Sequence, residues 1–239
     1  ATKQRAQQIT QALQVPEVQP CLRHIELLEA GTTSFSDQLV KSCGTAKWGD
    51  SICVGNLFMS PNMKQVYTYF KVYAANQVAT TRILVGNLFQ DFYRTCETTL
   101  PTIPGTFKEK LAYPKGHPDK YITFLRQLLE LTPADHKDHA QIVEAIKLVE
   151  VVVGDLDNEV RKKRNFEKLL EIQDSLTTGG LLSSTNPTID SLASRARTFI
   201  KEGDMKKVCR NKNKTYRFWL FNDQLIYGEQ HSGNSNNFT

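Results

Sequence analysis

The chain has 239 residues, of which 40% are hydrophobic, 23% charged and 9% aromatic; this builds a folded core and excludes disordered, collagen-like and disulfide-scaffold proteins. Net charge is +5, and within residues 201–217 seven Lys and Arg oppose only Glu202 and Asp204, so the excess is concentrated and points to an anionic partner or to a solvated sheet edge. No apolar run reaches 18 residues, which excludes a conventional transmembrane helix.

Two helices are expected over residues 3–14 and 21–42, divided by Pro16 and Pro20. A connection containing Gly, Ser and Pro over 43–62 leads into a long helical pattern that runs to about residue 95. Val66, Phe70, Tyr73, Leu84, Leu88 and Phe92 are its apolar positions, mostly three or four apart. Pro101, Pro104 and Gly105 end it. A short segment over 107–111 and a Pro114–Pro118 turn follow. Asp119 reads as the N-cap of a helix over 120–132, with Tyr121, Phe124, Leu125 and Leu128 as its core face.

The longest pattern runs over 136–177. Ile142, Ile146, Val149, Val153, Leu156 and Val160 are spaced 4, 3, 4, 3, 4, a heptad-like seam for packing along a neighbouring helix. Gly154 interrupts it at a cost of about 1 kcal/mol relative to Ala. Residues 159–168 are densely charged, so the helix is expected to project into solvent there. Gly179 to Pro187 reads as a linker, and 189–200 as a last helix. The period then changes: 205–210, 215–221 and 225–227 read as strands joined by Asn-rich turns. Three short strands are too few for an independent domain, so they are expected to begin a larger β structure.

Motifs for covalent or cofactor chemistry are missing. There is no H-E-x-x-H, no G-x-x-x-x-G-K-[ST], no G-x-G-x-x-G and no G-x-S-x-G. His136 and His139, with Asp135 and Asp138 nearby, read as a solvated first helical turn rather than a metal site. No cofactor and no metal are expected. The five Cys form no C-x-x-C pair, and no signal peptide opens the chain, so reduced thiols and a cytoplasmic location are expected. Without secretion the sequons at Asn213 and Asn237 carry no meaning.

Leu111, Pro114, Lys120, Tyr121, Leu125, Leu128, Leu129 and Thr132 fit the pattern L-x-x-P-x-Q-R-x-x-[KR]-Y-x-L-L-L-x-x-L-L-x-x-T. This resembles the third conserved region of Dbl-homology domains, with Gly116 and His117 standing where that pattern has Gln-Arg. Leu156, Asn158, Glu159, Phe166, Glu167, Leu169, Leu170, Ile172 and Gln173 are similar to the family's last long helix, and Val66, Tyr67, Tyr69, Tyr73 and Asn76 to its second region. Glu26 to Glu29 resembles the first region only faintly. Phe199, Gly203, Lys207, Arg217, Trp219, Phe221, Asn222, Asp223 and Tyr227 look like the first three strands of a pleckstrin-homology domain. That order is the tandem of Rho-family guanine nucleotide exchange factors.

The resemblance implies a mostly α fold: an elongated bundle of long helices followed by the first strands of a pleckstrin-homology-like β-barrel. The expected division is 1–180 helical domain, 181–200 linker and connecting helix, and 201–239 partial β domain. It implies binding to a Rho-family small GTPase and release of GDP by stabilising the nucleotide-free state, with no covalent chemistry. Lys120 and Asn158 match family positions that contact switch II. Asp155 and Lys162 share the polar stripe of Asn158, at helical spacing on a face away from the seam. Lys207, Lys214 and Arg217 are the candidates for weak binding to an anionic phosphoinositide membrane, with recruitment to the plasma membrane and no nucleic acid. Two alternatives stay open. One is a catalytically weak or autoinhibited scaffold of the same fold. The other is a basic nucleic-acid- or membrane-binding helical module.

Overall fold

Apolar side chains three and four residues apart place a stripe on one face of each long helix, and burial of those stripes assembles the core. The computed structural model describes residues 18–44, 53–84, 105–178, 192–194, 196–208 and 214–229, together with 7, 10, 11, 13, 14, 89 and 93. The chain divides into two compact units, Ala1–Val160 and Arg161–Thr239.

In the first unit α1 (Gln19–Gly44) buries Cys21, Leu28 and Phe35, and α3 (Pro61–Leu84) buries Met63, Val66, Tyr67, Phe70, Tyr73 and Ala74. Pro20 sits in the first turn of α1, where its missing N–H costs nothing, so it opens the helix rather than separating two. The two helices pack closely because Gly31 has no side chain: a Cβ there would stand 2.6 Å from Val66 Cγ2. Tyr73 donates its hydroxyl proton to the Leu111 carbonyl at 2.6 Å, which satisfies the one polar atom of a fully buried ring.

Between them lies α2 (Val54–Phe58), inside the segment expected to be an irregular connection. Five residues with Gly and Asn have little helical preference. The helix exists because Asp138 caps it from 84 residues away. Val54 N–H donates to Asp138 Oδ2 at 2.7 Å, and Gly55 N–H donates to Oδ1 at 3.1 Å. A Cβ on Gly55 would lie 2.4 Å from the Gln141 carbonyl carbon, so only Gly permits this approach. Asp138 is 3% exposed, which corrects the solvated first turn expected around it.

Thr106 opens α4 (Phe107–Ala112) with a capping box: Glu109 N–H donates to its hydroxyl, and Thr106 N–H donates to Glu109 Oε2. A 3-10 turn (Tyr113–Gly116) leads into α5 (His117–Glu130). The helix starts two residues before Asp119, which therefore lies in the first turn and not at the N-cap. Pro118, also in that first turn, needs no hydrogen-bond partner for its nitrogen. Of the expected core face, Leu125 is buried and Tyr121 and Leu128 pack against the core, but Phe124 is 42% exposed.

The longest helix is α6 (His139–Thr178). Within the first unit it buries Ile142, Ala145, Ile146, Val149, Val152, Leu156 and Val160. Val152 is buried and Val153 half-buried, so the inward stripe is wider at this turn than the expected seam. These residues join α1, α2, α3 and Leu125 of α5 in one core.

In the second unit the remainder of α6 carries Leu169, Ile172 and Leu176, which form a core with Leu192, Trp219 and Phe221. The sheet is antiparallel in the order β1 (Phe199–Lys207), β2 (Lys214–Phe221) and β3 (Leu225–Gly228). The helix expected over 189–200 is not found: 192–194 and 196–198 are irregular, and Phe199 and Ile200 are already strand. Arg197 explains the difference. Its guanidinium donates to both Asp223 oxygens and to the Leu192 carbonyl, which holds the chain extended into β1. The charged stretch expected to project is also engaged. Asn165 Oδ1 accepts from Phe199 N–H and its Nδ2 donates to the Arg197 carbonyl, both at 2.8 Å.

The expected helix over 3–14 and the pattern beyond residue 84 lie largely outside the described residues; 7, 10, 11, 13 and 93 are helical. Asn213 and Asn237 also lie outside them. No described helix is long and apolar enough to cross a membrane.

Candidate functional site

Once α6 turns its apolar stripe inward, the opposite face must present whatever side chains remain. In the first unit that ridge carries Val151, Gly154 and Asn158. Val151 is 61% exposed and nothing lies within 4 Å of a Cβ built on Gly154. Asn158 is exposed as well.

Both flanks of the ridge are braced. On one side Lys71 of α3 pairs with Asp155 at 2.5 Å. On the other Lys115 of the 3-10 turn pairs with Asp157 at 3.1 Å. A groove accompanies each pair, one lined by Lys71, Ala75, Asn76, Asp155 and Glu159, the other by Lys115, Gly116, Asp119, Val153 and Asp157. Exposed ion pairs of this kind contribute about 0–1 kcal/mol each, so they orient the ridge more than they stabilise it. Asp155 thus spends its charge on Lys71 within the fold. Neither Lys partner stands out in the sequence, because the pairing depends on how the helices lie together.

Lys120 is exposed on the first turn of α5. Its ammonium donates to the Tyr113 hydroxyl at 2.9 Å and stands 4.0 Å from the centre of the same ring. Tyr113 in turn meets His117 at 5.7 Å between ring centres. His117 stacks on Phe70 at 6.1 Å and meets Tyr121 edge-on at 4.8 Å. Burial, with the Lys120 charge adding to it, pushes the His117 imidazole below its ordinary range, and Nδ1 has no hydrogen-bond partner among the described residues. The ring is therefore neutral near pH 7 and packs as an aromatic. Burial also pushes the Tyr121 hydroxyl up to about 12.

Lys162, the remaining member of the expected stripe, is exposed in the second unit. The three expected lipid contacts do not gather. Strand alternation places Lys207 and Lys214, paired across β1 and β2, on one face, and Arg217 on the other. Arg217 pairs with Asp204 and Glu202, Lys214 with Glu229, and Lys207 donates to the Tyr227 hydroxyl at 2.6 Å. Among the described residues no group of three or more His, Cys, Asp or Glu is placed to hold a metal. His136 Nδ1 instead accepts the Asp138 backbone N–H.

Long packed helices followed along the chain by a three-stranded antiparallel sheet, with Asn158 on an exposed ridge of the last helix, define a class of helical domain followed by β structure. The family model for the RhoGEF domain matches residues 5–157. The chain belongs to that family, the Dbl-homology domains.

Among curated proteins it is 26% identical over 183 residues to mouse FYVE, RhoGEF and PH domain-containing protein 6, covering 75% of this chain and 12% of that protein. It is 25% identical over 189 residues to Rac guanine nucleotide exchange factor B of Dictyostelium discoideum, covering 77% of this chain and 15% of that protein. The chain thus spans only a small part of the length of these relatives. Among solved structures, the DH/PH domains of p115-RhoGEF share the fold with a TM-score of 0.77 at 15% identity, covering 97% of this chain and 65% of that one. A ternary complex of human RhoA, its inhibitor and the DH/PH domain of human ARHGEF11 gives a TM-score of 0.71 at 15% identity, covering 97% and 68%. The fold is therefore mostly helical with a short three-stranded sheet at its C-terminal end, as in those DH/PH structures.

Proposed function

We propose that this chain binds a Rho-family small GTPase and accelerates release of its bound nucleotide. The observation that carries the reading is Asn158. It matches the family position on the last long helix, and it stands exposed on a ridge whose flanks are fixed by Lys71–Asp155 and Lys115–Asp157. The two pairs fix the stretch of helix that carries Asn158, and an amide side chain has both a donor and an acceptor to offer a partner. Lys120 adds a positive charge for the same partner. One relative supports the reading by its name, as a Rac guanine nucleotide exchange factor, and one solved neighbour was captured with RhoA.

The mechanism is linkage rather than bond-making. A domain that binds the nucleotide-free GTPase more tightly than the loaded one must weaken nucleotide binding by the same factor. Equal affinity for both states would shift nothing. Asp155 serves this surface as a brace through Lys71.

The test is release of a fluorescent GDP analogue from a panel of Rho, Rac and related GTPases. Acceleration on at least one, reduced at least tenfold by Asn158→Ala, is the expected result. No acceleration on any member would overturn the exchange reading and favour a scaffold of the same fold.

A further inference from the structure

We infer that Tyr113 is a positioning residue for Lys120, fixing where that ammonium is presented to the GTPase. The inference rests on the exchange reading above and concerns a residue that the family pattern leaves unspecified. A lysine on the first turn of an exposed helix has four rotatable bonds, and its ammonium samples a wide volume of solvent. Here it does not. The Tyr113 hydroxyl accepts from it at 2.9 Å, and the ring lies 4.0 Å beneath it. Two different groups of one side chain, an oxygen lone pair and a π face, therefore define one place for the charge.

Tyr113 is 56% exposed, so its own burial does not account for its orientation. The ring is instead braced from behind. His117 lies 5.7 Å away and is held by Phe70 and Tyr121, which belong to the core cluster or pack against it. Tyr113 also opens the 3-10 turn whose Lys115 pairs with Asp157, the residue before Asn158. One four-residue turn thus holds Lys120 at its first residue and α6 at its third. The two residues carried by the exchange reading, Lys120 and Asn158, are both referenced to this turn. Fixing Lys120 before the encounter removes part of the ordering cost from GTPase binding.

The experiment is a double-mutant cycle on the rate of GDP-analogue release, using the GTPase on which the parent chain is most active. Tyr113→Ala is expected to lower kcat/KM about five- to tenfold and Tyr113→Phe about two- to threefold, because Phe keeps the ring and loses the acceptor. In the Lys120→Ala background Tyr113→Ala is expected to add less than about twofold, since there is no ammonium left to place. Full, additive penalties from Tyr113→Ala in that background overturn the inference and make Tyr113 a contact in its own right. Equal rates for the parent and Tyr113→Ala also overturn it. Retained helicity by circular dichroism guards against misfolding, and Tyr113→Phe carries the test if Tyr113→Ala does not fold.

A parent chain that is inactive on every GTPase defeats the exchange reading, not the placement of Lys120. The placement is then decided in the free protein by carbon-13 relaxation at Lys120 Cε. Ordering that is lost in Tyr113→Ala supports it, and unchanged mobility overturns it.

Discussion

The two units are held together by different physics. In the first, the core is a set of apolar stripes: Leu28 and Phe35 of α1, Val66 and Phe70 of α3, Val149 and Leu156 of α6. In the second, a small apolar core of Leu169, Ile172, Leu176, Leu192, Trp219 and Phe221 is fastened by polar side chains. Asn165 holds the start of β1, Arg197 clamps Asp223, and Glu202 accepts from Trp219 Nε1 at 3.0 Å while pairing with Lys168 and Arg217. Apolar stripes tolerate small shifts in register, whereas hydrogen bonds of fixed length do not. The polar unit therefore depends on single residues that no periodicity announces.

The comparison breaks most sharply at α2, where the first unit also relies on a specific contact. Gly55→Ala is expected to cost about 3 kcal/mol or more, because the added carbon meets backbone, which cannot rotate away. Loss of amide-exchange protection in α2 and at the start of α6, larger than for Gly154→Ala, would register it. In the second unit Arg197→Met is expected to cost about 1–2 kcal/mol, since Arg197 is only 9% exposed, the Leu192 carbonyl loses one of its two donors and Asp223 loses its guanidinium. Exchange protection in β1 should fall while α3 stays protected. Equal loss in α3 would show that the two units do not unfold separately.

A pH measurement sharpens the contrast within the first unit. The folded-state value of His117 is depressed by burial below the unfolded value of about 6.5. Its contribution to stability is therefore full above pH 6.5 and is lost as pH falls from there through the folded value. Asp138 runs the other way: burial raises its carboxyl, so the penalty for ionising it grows as pH rises from its unfolded value through the raised one. Denaturant unfolding followed between pH 7.5 and 5.5 should show a decline that His117→Phe reduces. A decline of equal size in that variant would assign it elsewhere. The smallest expected effect on stability is that of Asn158→Ala, within about 0.5 kcal/mol, against its large expected effect on exchange. A stability loss of several times that size would make Asn158 a structural residue rather than a contact.

Legibility followed the same division. The stripes of α3 and α6, and that of α5 apart from Phe124, are readable because burial at intervals of three and four is a local property of a helix. Asp119 was misplaced as a cap because Pro118 is accepted inside the first turn, so α5 starts at His117. The last helix expected before the sheet failed because Arg197 finds Asp223, 26 residues on, and no local signal records that. The site was partly readable. Lys120 and Asn158 came from motif positions, and Asp155 from helical spacing. Tyr113, Lys71 and Lys115 did not, since each acts across an element boundary.

The amino-acid sequence by itself determined the long helices of the first unit, the inward faces of α3 and α6, the change to strand period after residue 200 and the motifs of the Dbl-homology family. Each is set by residues close in the chain or by residue types at fixed spacing. Only the tertiary structure decided that Val54–Phe58 is a helix, that Asp138 is its buried cap, that Asp155 is spent on Lys71, and that Arg217 faces away from Lys207 and Lys214. The Asp138 and Asp155 contacts close loops of 84 residues. A contact at that separation forms only after both partners have been placed by the rest of the fold, so its energy leaves no periodic trace along the chain.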